Sequence, residues 1–403
     1  MQIYLDHSAT TPTRPEAIAR MQQVLSQSWG NPSSLHQWGE RSALVVEQAR
    51  QEVASLINAP AASIVFTAGG TEANNLAIMG IAQRYPTPQH VIISQVEHPA
   101  VSEPVRWLET LGWQVTRLPV DCQGWVNPLE LQAALRPTTV LVSVIYGQSE
   151  VGTVQSIASL GSIARAHGVC FHTDAVQVAG RLPIDVELLP VDLLSLSSHK
   201  LYGPQGAGAL YIRPGVQLLP YLRGGGQEQG LRSGTQAVSA ISGFGVAASL
   251  AAAEMALEVP RLTALRDRLF AHLADTPGLL PTGVYGATLE EQLRQRLPHH
   301  VSLCLQYPDG EILSGRTLVR QMNLAGIAIS AGSACHSGKS TPSPILQAMG
   351  YSDRRAQGAI RFTLGRDTTA ADVDWSAMVL QQILHRLLPE VWLKERTRQY
   401  SSC

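Results

Sequence analysis

Neither sign of charge is in excess: 30 basic residues against 31 acidic ones leave a net −1 over 403 residues. A chain so balanced lacks the electrostatic footprint of a nucleic-acid binder or of a protein held on an anionic membrane. Cysteine is scarce and scattered, at Cys122, Cys170, Cys304, Cys335 and Cys403, with no CxxC and no Cys/His zinc spacing. An odd, dispersed set argues against a disulfide framework and for free thiols in a reducing compartment, so the cytoplasm is expected. The opening residues, MQIYLDHSATTP, contain no basic stretch followed by an apolar one, so no secretory signal is expected. No uninterrupted apolar run has bilayer-spanning length; the longest tract, 244–257, is Ala-rich, carries Glu254 and reads as a buried helix of a soluble protein. Internal repeats and low-complexity tracts are missing as well.

What is present is 45% hydrophobic and 15% charged residues, the composition of a packed globular protein. At 403 residues the chain is too long for one ordinary core, and two domains sharing a cleft are expected. Through the first 250 residues, apolar β-branched runs at 63–67, 90–94, 114–118, 139–145, 169–173, 192–196 and 208–212 alternate with helical stretches such as 71–83, 99–111 and 156–167. That alternation predicts an α/β domain with a largely parallel sheet, whose ligands bind at the carboxyl ends of the strands. From about Val259 the pattern changes to a helix over 261–274, a Gly/Pro-rich stretch, strands near 300–305 and a helix over 314–321, which suggests a smaller α+β domain. Near its end, 372–388 reads as an amphipathic helix burying Trp375, Met378, Val379, Ile383 and Leu387.

Five features at strand ends carry chemistry. Lys200 follows the 192–196 strand within Ser197-Ser198-His199-Lys200. A lysine there is either a surface residue or an amine drawn into a cleft, where desolvation suits it to Schiff-base formation with pyridoxal 5′-phosphate (PLP). Asp174, after the 169–173 strand, is a helix cap or the carboxylate that keeps a pyridine nitrogen protonated. Gln177, three residues on, suits the ring's phenolic oxygen. The turn Thr67-Ala68-Gly69-Gly70-Thr71-Glu72 joins strand to helix; such a turn is a tight connection or a phosphate cradle. His98 sits in a further strand-to-helix turn, where an imidazole can stack on a ring and move protons, or be structural. Finally, residues 330–340, Ser-Ala-Gly-Ser-Ala-Cys-His-Ser-Gly-Lys-Ser, put Cys335 in a run of small polar residues expected to be an exposed loop, beside His336 and Lys339, which favour a thiolate.

These motifs, with Asp6-His7-Ser8-Ala9-Thr10-Thr11-Pro12, Gly30-Asn31-Pro32-Ser33, Glu97-His98, Asp174-Ala175-Val176-Gln177, Gly224-Gly225-Gly226-Gln227-Glu228, Arg232-Ser233-Gly234-Thr235 and Ile360-Arg361-Phe362, resemble the cysteine desulfurases of the class-V aminotransferases along nearly the whole chain. The Gly-Ser-Ala-Cys loop resembles the long-loop branch that feeds iron–sulfur assembly. The resemblance implies the PLP-dependent fold type I, with a large domain over 12–258 holding a mostly parallel seven-stranded sheet, and a small domain formed by 1–11 and 259–403. It implies conversion of L-cysteine to alanine, with selenocysteine lyase or another class-V PLP enzyme as the alternative. Lys200 would hold the cofactor and Cys335 would carry the persulfide. His98, Asp174 and Gln177 would frame the ring, and Gly70, Thr71, Ser197 and His199 would hold the phosphate. Thr235 would reach the phosphate of the neighbouring subunit of a homodimer, and Asn31 and Arg361 would hold the substrate carboxylate. No resident metal is implied, only a transient iron–sulfur contact at Cys335; the implied partners are L-cysteine and a sulfur acceptor or scaffold protein. One departure is visible. Where the family usually has two asparagines before Glu-x-Gly, this chain has Gln148-Ser149-Glu150-Val151-Gly152, so Gln148 or Ser149 must replace a side chain that contacts the cofactor.

Overall fold

The computed structural model describes residues 2–285, 295–305, 313–332 and 342–389. Seven strands form the main sheet in the order Ile64–Thr67, Gly208–Ile212, Leu193–Ser197, Cys170–Asp174, Thr139–Ser143, His90–Ser94 and Gln114–Leu118. All are parallel in direction except Gly208–Ile212, which is antiparallel to both its neighbours. Alternate residues explain why the strands read as continuous apolar runs. Phe66, Ile92, Val142, Phe171 and Leu194 pack one face, under the helices Gln37–Leu56 and Val238–Leu273. Val65, Val91, Ile93, Leu141 and Leu193 pack the other, under Gly70–Ala82 and Pro99–Thr110. A sheet buried on both faces has no polar side to show.

A second core holds Ile3, Leu5, Val301, Leu303, Ile360, Phe362 and Leu380. Its four-stranded antiparallel sheet runs Leu279–Pro281, His300–Leu305, Ala359–Thr363, Ser330–Ala331. The first residues of the chain join it: Ile3–Tyr4 pairs in parallel with Ile327–Ala328. The helix expected at 261–274 is the tail of a 36-residue helix, Val238–Leu273, that runs unbroken through 258–259. Its early turns bury Ile241, Phe244 and Ala248 in the first core, and its last turns bury Leu262, Leu269 and Phe270 in the second. By length and composition this helix could cross a bilayer, against expectation from the sequence, but its buried faces belong to these two cores.

Two smaller expectations fail. Trp375 and Met378 of the helix Ala370–Leu387 are 45% and 39% exposed, because Val373, Ala377, Leu380 and Leu384 turn to the core instead. The strand expected over 139–145 stops at Ser143.

Candidate active site

The carboxyl edge of the main sheet gathers the polar residues that the sequence singled out. Asp174 is the last residue of its strand rather than the first after it, and is 4% exposed. One carboxylate oxygen accepts from Val176 N at 3.0 Å and the other from Asn74 Nδ2 at 2.6 Å. Asn74 lies one turn into the helix Gly70–Ala82, so this bond ties the helix start to the strand end. The first amides of that helix have no side-chain cap. A Cβ on Gly70 would meet Val176 Cγ2 at 2.8 Å and Ser197 Cβ at 3.4 Å, so only glycine lets the helix start this close to the neighbouring strand ends. Uncapped amides at a helix N-terminus suit an anion, and Gly70, Thr71 and Ser197 come together there.

Lys200 lies in the single helical turn Ser198–Lys200 after its strand. Its Nζ donates to the carbonyls of Ser8 and Ala9 at 2.6 and 2.7 Å. The same Ser8 carbonyl accepts from Gln177 Nε2 at 2.9 Å. The N-terminal motif therefore has a structural meaning that the sequence did not reveal: it lies across the lysine turn. Thr11 N and Oγ1 both bond His199 O, and Thr10 Oγ1 lies 3.0 Å from His199 Nδ1. Burial, with help from Lys200 and Arg181, lowers His199 to about 4, so its ring is neutral.

His98 caps the helix Pro99–Thr110: its Nδ1 accepts from Ala100 N at 3.1 Å, which leaves the proton of the neutral ring on Nε2. Burial lowers its pKa; Asp174 opposes that shift and Lys200 adds to it. Asp174, Lys200 and His98 thus share one electrostatic neighbourhood. Glu97 beneath it is fully enclosed. Its Oε1 accepts from Ser94 Oγ and, at 2.8 Å, from Ile145 N, while Oε2 has no hydrogen-bond partner. Burial raises Glu97 to about 8, so it is a neutral acid at pH 7.

His98 also lines a cleft of about 580 Å³ together with Ser149, Glu150, Gly332, Pro344 and Arg361. Arg361, 4% exposed, is held by Ser149 O at 2.8 Å and by Asp6 Oδ1 at 2.7 Å, and its Nε has no partner. Burial raises Glu150 to about 8, against the opposing pull of Ser343 and Arg361. Gln148 and Ser149 both line this cleft. Gln148 is buried with its side-chain oxygen on Glu150 N and Val151 N and its amide nitrogen 3.3 Å from Val96 O. Its side chain is committed to the backbone of its own turn and of the His98 turn.

Among the described residues, Asn31 and Thr235 do not line this cleft. Asn31 is exposed, and its Oδ1 accepts from Ser33 N at 3.0 Å. Thr235 is exposed, three residues past Arg232, which pairs with Glu72 at 2.8 Å in the first turn of the Gly70–Ala82 helix. Cys335, with His336 and Lys339, lies outside the described residues, although Gly332 and Pro344 on either side line the cleft. Asn74 was missed, yet its place four residues after Gly70 was a usable signal. Glu150, His299 and His300 were also missed, and nothing local in the sequence marks them; Ser8 was legible only as a member of the motif at 6–12.

The residues present fit PLP: an amine on Lys200, a carboxylate at Asp174 for a ring nitrogen, and uncapped helix amides with room made by Gly70 for a phosphate. The family model for class-V aminotransferases matches residues 3–375. The cysteine desulfurase IscS of Methylococcus capsulatus is 45% identical over 391 residues, covering 96% of this chain and 93% of that protein. That of Dictyoglomus turgidum is 42% identical over 387 residues, covering 96% and 95%. Among solved structures, a NifS-like protein superposes with a TM-score of 0.86 at 34% identity, covering 95% of this chain and 99% of its own. The chain belongs to the class-V aminotransferase family, among its cysteine desulfurases.

Proposed function

We propose that this chain is a PLP-dependent cysteine desulfurase, a sulfurtransferase that converts L-cysteine to L-alanine and passes the sulfur, as a persulfide on Cys335, to an acceptor protein for iron–sulfur assembly or other sulfur-containing products. The observation that carries the reading is the single cleft lined by both His98 and Arg361, with Lys200 and Asp174 in electrostatic reach of His98. PLP bound there supplies an electron sink that makes the substrate's Cα proton and its β-carbon–sulfur bond labile. Lys200 would hold the group and take up that proton, Asp174 would keep the ring nitrogen charged, and Gln177 would serve the phenolic oxygen. Gly70, Thr71, Ser197 and His199 would hold the phosphate. Arg361, oriented by Asp6 and Ser149, would hold the substrate carboxylate, a role the resemblance also implies for Asn31.

The Cys335 thiolate attacks the substrate sulfur. The S–S bond forms as the C–S bond breaks, and the electron pair and a proton end on the β-carbon, so alanine and the persulfide balance without an external oxidant. We assign the active form as a cytoplasmic homodimer in which Thr235 reaches the partner's phosphate, and no nucleic acid or membrane is involved.

The test is Cys335→Ser. Incubated with cysteine, with and without a reductant, the variant is expected to keep its yellow colour and to change its spectrum on adding cysteine, while alanine and sulfide fall to background. Near-wild-type sulfide release would replace this mechanism with a lyase that needs no persulfide.

A further inference from the structure

His299 and His300 are consecutive, both fully buried at the start of the strand His300–Leu305, and their rings lie 6.1 Å apart at 84°. Neither belongs to a motif of the functional reading, yet each touches a serine whose carbonyl grips one of the two active-site cations. His299 Nε2 lies 3.1 Å from Ser8 Oγ. Ser8 is held further by its own amide on Thr363 Oγ1 at 2.9 Å, and its carbonyl takes Lys200 Nζ at 2.6 Å and Gln177 Nε2 at 2.9 Å. His300 Nε2 lies 3.0 Å from Ser149 O, the oxygen that also takes Arg361 Nη1 at 2.8 Å. Consecutive side chains entering a strand diverge, so one dipeptide can address two turns that lie 141 positions apart in sequence (149 − 8).

The chemistry of the two rings fits this use. A carbonyl only accepts, so the proton of His300 sits on Nε2, leaving Nδ1 a bare acceptor. Nδ1 of both rings has no hydrogen-bond partner. A buried, unpaired nitrogen is a cost that a phenylalanine or leucine of similar size would remove, so packing alone does not account for imidazole at either position. Burial holds both rings well below the ordinary histidine range; for His299 the nearby Arg181, His300, His7 and Arg361 add to this, and for His300 so do Arg296, Arg361 and Arg181. Both are therefore neutral and add no charge beside Arg361. The fit on the Ser149 side is close: Gly152, at φ +80°, would bring a Cβ to 2.7 Å from the His300 ring.

We propose that His299 and His300 are separate positioning residues, His299 setting the Lys200 amine through Ser8 and His300 setting the Arg361 guanidinium through Ser149. The inference rests on the reading that Lys200 holds the cofactor and Arg361 the substrate carboxylate. It predicts different signatures for neighbouring substitutions, which a shared structural role would not produce.

The experiment compares His299→Phe and His300→Phe on the purified holoenzyme with two readouts made without turnover. One is the wavelength and pH midpoint of the visible band of lysine-bound cofactor. The other is the dissociation constant of L-alanine, followed by the change in that band. His300→Phe is expected to weaken alanine binding about tenfold, the loss of one hydrogen bond supporting a charged group, with the band's midpoint unmoved. His299→Phe is expected to move the midpoint and leave alanine binding within about twofold. His300→Gln, whose amide can donate to the same carbonyl, should restore alanine binding. If a phenylalanine variant does not fold, the smaller leucine carries the same comparison. Two controls separate this inference from the functional reading. If Lys200→Ala keeps the band, or Arg361→Lys keeps alanine affinity, the functional reading is wrong. If both controls behave as expected while the two histidine variants shift both readouts alike, or neither, the positioning inference is overturned and the reading stands.

Discussion

The lysine half and the arginine half of the site are built by different means. Asp174, Lys200, His98 and Gly70 each stand where a main-sheet strand gives way to the next turn, so the sheet's topology brings them together before the Ser8 and Ala9 carbonyls take the lysine. Arg361 stands in the middle of an antiparallel strand of the second core, Ala359–Thr363, and reaches the cleft because two other segments hold it there: Asp6 from the start of the chain and Ser149 from a turn of the main domain. The first half is a property of strand order. The second depends on tertiary bonds between distant residues, and it is the half in which a single lost partner changes binding without touching the cofactor.

Arg361→Ala is the sharpest way to test that contrast. It should lower kcat/KM for cysteine about 100-fold, the loss of a charge-assisted pair with the substrate carboxylate, while the visible band and its intensity stay as in the wild type. A variant that also loses its colour would show that the halves are not separable.

Asn74→Ala should do the reverse. Removing the donor to a buried carboxylate should cost about 1.5–3 kcal/mol of stability and loosen cofactor retention, measured by urea unfolding and by cofactor lost on desalting. Alanine affinity of the loaded fraction should be unchanged.

Each half also buries one acid. Glu97 and Glu150 are both raised by burial to about 8. The folded chain therefore keeps two protons that the unfolded chain sheds near 4.5, and the stability they contribute is full below that value and lost as pH rises through about 8. Glu150→Gln and Glu97→Gln should each flatten the fall of melting temperature between about pH 5 and 9, and the double variant should flatten it further. A slope unchanged in the double variant would contradict the assignment.

The smallest effect tests the sequence pattern itself. Trp375→Ser, on the exposed face of its helix, should change stability by no more than about 0.5 kcal/mol, whereas a residue buried on the helical stripe would cost several times that.

How far the site was legible follows from the same contrast. Lys200, Asp174 and the Gly70 turn could be read from residue type and position, because strand ends punctuate the sequence and glycine and small polar residues cluster there. Arg361 and His98 were recognisable only by their resemblance to a family, since an arginine in an apolar strand and a histidine before a proline have ordinary structural explanations. His299 and His300 were not legible at all, and Ser8 only as a member of the motif at 6–12. Their roles consist of contacts across 291 positions of sequence between Ser8 and His299 (299 − 8), which no local pattern records. The amphipathic reading of 372–388 had the helix right and part of the face wrong: a three-to-four spacing fits more than one stripe, and the packing partners, Leu265 and Leu269 among them, chose the one through Val373, Leu380 and Leu384.

The first dozen residues have a consequence for how the molecule is made. Ile3 bonds Gly326, Leu5 bonds Ala328 and Thr363, Ser8 bonds Thr363 and Lys200, and Thr11 bonds His199. During synthesis residues 3–11 have no bonding partner outside their own segment until residues 177 and 181 have emerged, and they have their full set only when residue 363 has. The main sheet can collapse meanwhile from contacts nearer in sequence. The lysine turn, whose amine the Ser8 and Ala9 carbonyls bind, can thus be met by residues 8–11 once residue 202 has emerged, whereas residues 3–5 wait for 326–363. A nascent chain halted near residue 300 should carry a folded sheet with residues 3–5 open to protease, and one released past residue 363 should have them protected.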